Sequence, residues 1–247
     1  MKKTIILFLS MVLLIPTNIF ASGENNDQNI KLNSTEVRKI EKLINTNVVS
    51  GRKEGDKLHY DLDKTITRAE FAKVIITTLQ LNINDYKYLE PKATDVSKDH
   101  WAYNYISLIT NLKNKKSGQY IMQGYPNKTF KPDSPITFAE ASTILVKLAK
   151  NNLKNDLIIE SEYPKNFLRW ANRENIFRDI NEDVILNYDE YILRKDAFHL
   201  LYNTFYKSKW TTQQLNYRAS DIRCKNIADS GCVHNTYTAF YTATFNR

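Results

Sequence analysis

The octapeptide Thr65-Ile-Thr-Arg-Ala-Glu-Phe-Ala72 returns as Pro135-Ile-Thr-Phe-Ala-Glu-Ala-Ser142, and a weaker echo follows at Tyr191-Ile-Leu-Arg-Lys-Asp-Ala-Phe198. Internal repetition limits the fold more than any other feature of this chain, because repeated units must be built alike. The aligned positions Thr67, Thr137 and Leu193 are 70 and 56 residues apart, intervals that fit units of two helices and a loop.

Each echo opens a helical pattern. After Thr67 the apolar residues Phe71, Val74, Ile75 and Leu79 recur at helical spacing; Ile144, Leu145 and Leu148 follow Thr137, and Phe198, Leu201 and Phe205 follow Arg194. Thr67 with Glu70, and Thr137 with Glu140, have the S/T-x-x-E spacing of a capping box. The hydroxyl accepts from a first-turn N–H while the carboxylate reaches back to the cap residue. Capping accounts for Thr and Glu but leaves Arg68 unexplained, since a cation at a helix N-terminus opposes the helix dipole. A basic group beside open N–H donors makes an anion site; the alternative is an ordinary solvated arginine.

The chain of 247 residues carries 35 basic and 27 acidic side chains, a formal charge of +8. Its start changes what that charge means. Lys2 and Lys3 precede an apolar run from Ile5 to Ile15, then Pro16 and a candidate cleavage point after Ala21. This is the pattern of a secretory signal peptide over 1–21, and the run is shorter than the roughly 20 apolar residues of a membrane span. Its removal leaves 33 basic against 27 acidic residues. No membrane span is expected after cleavage. A secreted basic chain meets anionic wall polymers before it meets nucleic acid, so nucleic acid is not expected as a partner. Cys224 and Cys232 are the only cysteines. In an oxidising compartment the expectation is a disulfide closing a short loop. The alternative joins them to His234 as metal ligands or a thiol nucleophile.

Between the first two echoes runs Asp95-Val-Ser-Lys-Asp-His-Trp-Ala-Tyr103, leading into a helix with Ile106, Ile109 and Leu112 on one face. A Lys-rich stretch, Asn114 to Ser117, separates it from Gly124-Tyr-Pro-Asn-Lys-Thr-Phe-Lys-Pro132, in which Gly124 and Pro126-Asn127 mark a turn. Asp95-Val, His100-Trp-Ala-Tyr103, Gly124 to Pro132 and Pro135-Ile-Thr with Ala139-Glu140 together resemble one S-layer homology (SLH) repeat. Thr67-Arg68-Ala69-Glu70 resembles that family's Thr-Arg-Ala-Glu motif. The resemblance covers about residues 36–206.

The resemblance implies a mainly α fold: three helix-loop-helix repeats forming a three-pronged pseudo-trimer. The expected organisation is a leader over 22–35, repeats at 36–85, 91–152 and 157–206, the last degenerate, and a tail over 207–247. It also implies non-covalent attachment to Gram-positive walls through a secondary cell-wall polysaccharide, often bearing pyruvate ketals. Arg68 and Arg194 would pair with a ketal carboxylate, Trp101 and Tyr125 would stack on sugar faces, and Asp95 with the Gly124 backbone would bond hydroxyls or an N-acetyl group. Trp101 also reads as core, since large aromatics dominate cores; Phe71 and Phe130 read as core outright, Tyr125 as exposed, and His100 as a capping or packing residue. The departures are Phe138 where the family carries Arg, Asn127-Lys128 for the usual Asp-Gly of the turn, Leu193-Arg-Lys-Asp196 without its Thr cap, and a first repeat that lacks the His-Trp-Ala-Tyr portion and carries a longer connection, Gly51 to Thr67 against Gly124 to Thr137.

About forty residues follow Tyr206, including an aromatic and Thr-rich stretch from Asn235 to Phe245 that suits a strand or hairpin. No catalytic motif, cofactor or metal is expected. The leading expectation is a non-catalytic, secreted protein of the cell wall and cell surface, with other surface proteins as further partners. The alternatives are a wall-metabolism enzyme or accessory using Cys224, Cys232 and His234, and an adhesin or effector whose tail meets a partner.

Overall fold

The computed structural model describes residues 32–114, 116–150, 153 and 162–206, with the backbone of 213–214 and 240–241. The segments expected to be signal peptide and most of the leader, together with Cys224, Cys232 and His234, lie outside the described residues. Among the described residues the fold is mainly helical.

Helix α1 (Ser34–Asn45) starts on a capping box that the sequence reading passed over: Asn33 accepts from the N–H groups of Thr35 and Glu36, and Glu36 returns to Asn33 N–H. The helix therefore begins two residues inside the stretch assigned to the leader. A short hairpin follows, β1 (Arg52–Glu54) against β2 (Lys57–His59), turning at Gly55, whose φ of 60° is one that glycine adopts without strain. This hairpin occupies the longer connection of the first repeat. Helices α2 (Arg68–Thr78), α3 (Tyr103–Asn111), α4 (Phe138–Ala149), α5 (Lys165–Arg173), α6 (Glu182–Leu186) and α7 (Arg194–Phe205) complete the helical set. Strand β3 (Gln213–Gln214) pairs antiparallel with β4 (Phe240–Tyr241).

Helix pairing crosses the sequence units. α3 packs on α2, α5 on α4, and α1 closes against α7. Each of α3, α5 and α1 thus lies on a helix that opens with one of the three sequence echoes, α2, α4 and α7. Ile40, Leu43, Phe71, Ile75, Ile106, Ile109, Phe130, Leu145, Leu148, Phe198 and Leu201 belong to one continuous buried cluster.

At the centre, three isoleucines form a closed backbone ring. Ile136 N donates to Ile66 O at 3.1 Å, Ile192 N to Ile136 O at 3.0 Å, and Ile66 N to Ile192 O at 3.3 Å. The same order governs the helix starts. Arg68 and Ala69 donate to Ser134 O and Pro132 O, Phe138 and Ala139 to Glu190 O and Tyr188 O, and Arg194 and Lys195 to Lys64 O and Leu62 O. The first N–H groups of a helix have no partner within it. Here the loop of the next unit supplies one, and the third unit returns to the first.

Candidate functional site

The junction of the first and second units is the most elaborate. Thr67 Oγ1 accepts from Glu70 N–H at 3.2 Å and Glu70 Oε2 from Thr67 N–H at 2.9 Å. Thr137 and Glu140 repeat the exchange at 3.2 and 3.1 Å. The second carboxylate oxygen of each glutamate points across a junction. Glu140 Oε1 lies 3.2 Å from Arg68 Nη1, and Glu70 Oε1 lies 2.9 Å from Arg194 Nη1.

Arg68 is 2% exposed. Its Nε donates to Phe130 O at 2.7 Å, its Nη2 to Gln123 O at 3.1 Å, and its guanidinium lies over the rings of Tyr125 and Phe130. The reading that nothing nearby requires a cation here is corrected, because the requirement comes from the neighbouring unit. The reading of open helix N–H donors is corrected for the same reason: at Arg68 and Ala69 they are taken by Ser134 and Pro132. Arg194 is built alike, with Nε donating to Tyr60 O at 2.9 Å and the guanidinium over Phe198.

The other named residues surround Arg68. Asp95 accepts from Phe130 N–H at 2.6 Å and Lys131 N–H at 2.8 Å, so its carboxylate clamps the loop that carries Arg68's acceptor. Gly124 belongs to the same loop, where a Cβ would stand 2.4 Å from Thr129 O, and no other residue fits without a shift. Tyr125, expected to be exposed, is half-buried, and its hydroxyl donates to Glu140 Oε1 at 2.9 Å. Burial pushes that phenol up to about 12, with Arg68 opposing the rise and Glu140 adding to it.

Trp101 is not core. It is 54% exposed, its ring near His100 and 6.0 Å from Lys73 Nζ on α2. His100 Nδ1 accepts from Ala102 N–H, and its Nε2 lies 3.2 Å from Asp133 Oδ1. Lys131, exposed, stands with Nζ 4.6 Å from the centre of the Tyr125 ring. Lys73 and Lys131 were not singled out from sequence. Their value lies in standing beside Trp101 and Tyr125, which only the cross-unit packing arranges.

The third junction differs. Phe138 occupies the position of Arg68 and Arg194, is 1% exposed, and packs on Phe177 with centroids 5.1 Å apart. The carboxylate facing this junction is Asp196, which is 5% exposed.

The family model for the S-layer homology domain matches residues 117–142. Over 184 residues, 73% of the chain, the sequence is 28% identical to the middle cell wall protein of Brevibacillus brevis, spanning 16% of that protein. It is 28% identical to the surface layer protein of Brevibacillus choshinensis over 73% of the chain and 15% of that protein. It is 33% identical to the cellulosome-anchoring protein of Acetivibrio thermocellus over 50% of the chain and 25% of that protein. The chain thus spans a quarter or less of the length of these relatives.

Proposed function

We propose that this is a secreted, non-catalytic surface protein of a Gram-positive bacterium, held on the cell wall by its junctions as a three-unit, pseudo-trimeric anchor. The S-layer homology match and the likeness to surface layer, cell wall and anchoring proteins support that setting. The closed ring through Ile66, Ile136 and Ile192 supports three equivalent units, the third being the most diverged.

The ligand is an anionic secondary wall polysaccharide bearing pyruvate ketals, and the first junction carries the recognition. The single observation behind this choice is the exposed Trp101 face, with Lys73 Nζ 6.0 Å from its ring, on the same junction as Tyr125 with Lys131 Nζ over its ring. An indole face suits the apolar side of a sugar, and two ammonium groups suit a ketal carboxylate. Asp95 and the Gly124 backbone hold the loop and offer remaining acceptors to hydroxyl or N-acetyl groups. Arg68 and Arg194 act from behind, as braces that set Tyr125, Glu140 and Glu70 in place.

Calorimetric titration of the full chain with purified secondary wall polysaccharide tests this. Binding that weakens when the ketals are removed is expected. Equal affinity for the polymer with and without ketals would reject the ligand assignment.

A further inference from the structure

The third junction holds a cavity of about 210 Å³ lined by Phe138, Val184, Ile192 and Tyr191, with Asp196 in its wall and Asp183 and Glu190 also lining it. At the other two junctions an arginine crosses to the carboxylate, Arg68 to Glu140 and Arg194 to Glu70. Here Phe138 turns onto Phe177 and no guanidinium arrives. Asp196 is 5% exposed yet accepts no hydrogen bond among the described residues. Lys195 Nζ stands 4.0 Å from its Oδ1, beyond hydrogen-bond reach. Lys195 thus gives Asp196 only a long ion pair, and the carboxylate, lining the cavity without a hydrogen-bond donor, can still take one.

We propose that this junction is a second subsite of opposite polarity, taking the protonated amine of an unacetylated amino sugar. The inference rests on the wall-glycan reading only for the source of the ligand. The ammonium meets Asp196, with Asp183 and Glu190 adding negative potential. The sugar's apolar face lies against Phe138 and the exposed ring of Tyr191, which is 57% exposed. The cavity is smaller than a typical drug-sized pocket, and its size favours one sugar unit over a peptide. Two ligand polarities on one anchor would match a polymer that carries both ketal carboxylates and free amines.

The test is a titration of the full chain with D-glucosamine, followed by NMR shifts, with N-acetyl-D-glucosamine as the neutral control at matched ionic strength. Glucosamine is expected to perturb the third junction and the acetylated sugar to leave it unmoved. Asp196→Asn, which keeps the shape and removes the charge, is expected to weaken glucosamine binding about tenfold or more. Phe138→Arg, which brings a guanidinium toward Asp196, is expected to do the same; circular dichroism checks that both variants fold. Equal response to both sugars, or unchanged binding by Asp196→Asn, would overturn the proposal. Trp101→Ala keeps the two readings apart. It should lose the polysaccharide and keep glucosamine, whereas failure of this subsite would leave polysaccharide binding at the first junction intact.

Discussion

Arg194 Nη1 reaches Glu70 Oε1 at 2.9 Å across 124 positions of sequence. This contact ties the last unit to the first, as Arg68 and Glu140 tie the first to the second. The same glutamates cap their own helices with their other oxygen. One side chain therefore fixes both a helix start and a junction, and its partner arginine is structural before it is anything else.

That pairing predicts a graded loss. Arg68→Ala takes the cation from Glu140, which keeps the Tyr125 hydroxyl and Thr137 N–H, and removes the donor to two loop carbonyls, and is expected to cost about 2–4 kcal/mol. Arg194 is more accessible, at 13% side-chain exposure against 2% for Arg68, so Arg194→Ala should cost less, about 1–3 kcal/mol. Urea denaturation of both variants measures the difference. Equal losses would contradict the burial argument.

Gly124→Ala is expected to destabilise by about 1–3 kcal/mol, because the new methyl would sit 2.4 Å from Thr129 O, a backbone atom. The loop would have to open, so the same variant should weaken wall binding. Thermal unfolding checks the first effect and wall retention the second.

Asp95→Ala removes the acceptor for two adjacent N–H groups, at 2.6 and 2.8 Å. A loss of about 1–2 kcal/mol is expected, discounted because Asp95 is exposed and water can replace it. Asp95→Asn, which keeps an acceptor oxygen, should recover part of that stability.

Lys147 is 6% exposed, and burial lowers its ammonium from 10.5 to about 8. Between those values the unfolded chain binds more protons than the folded one, so stability should rise with pH from about 8 to 10.5 on this residue's account. Below about 8 the penalty is fully present. Lys147→Met removes the charge together with the bond from Nζ to Tyr120 O at 3.2 Å, so the expected outcome is that its stability relative to the parent falls between pH 7 and pH 10 as the parent loses its penalty. Paired melting curves at the two pH values check the sign.

Much of the local structure was legible because it rests on short-range chemistry. Thr67, Glu70, Thr137 and Glu140 reveal their helix starts through a fixed three-residue spacing, and Phe71, Ile75 and Leu145 reveal their buried faces through helical period. Asn33 and Glu36 carry the same spacing and mark α1 equally well. What short-range rules could not reach was the partner of each arginine. Arg68 looked unoccupied because its acceptors, Phe130 O and Gln123 O, lie 62 and 55 residues away. Trp101 reads as core because large aromatics dominate cores, but it lies in the turn before α3 and keeps 54% of its surface exposed, which residue type alone does not tell. Half-buried Lys73 gains meaning only beside Trp101, and exposed Lys131 only beside Tyr125.

The most direct test of the anchor is co-sedimentation of the full chain with Gram-positive walls, one sample intact and one stripped of its secondary polysaccharide by acid. The account predicts retention on intact walls alone, lost in a Trp101→Ala, Lys73→Ala, Lys131→Ala variant that still folds. Equal retention on both samples, abolished by added salt, would reduce the interaction to net positive charge and contradict it. So would the absence of retention on intact walls.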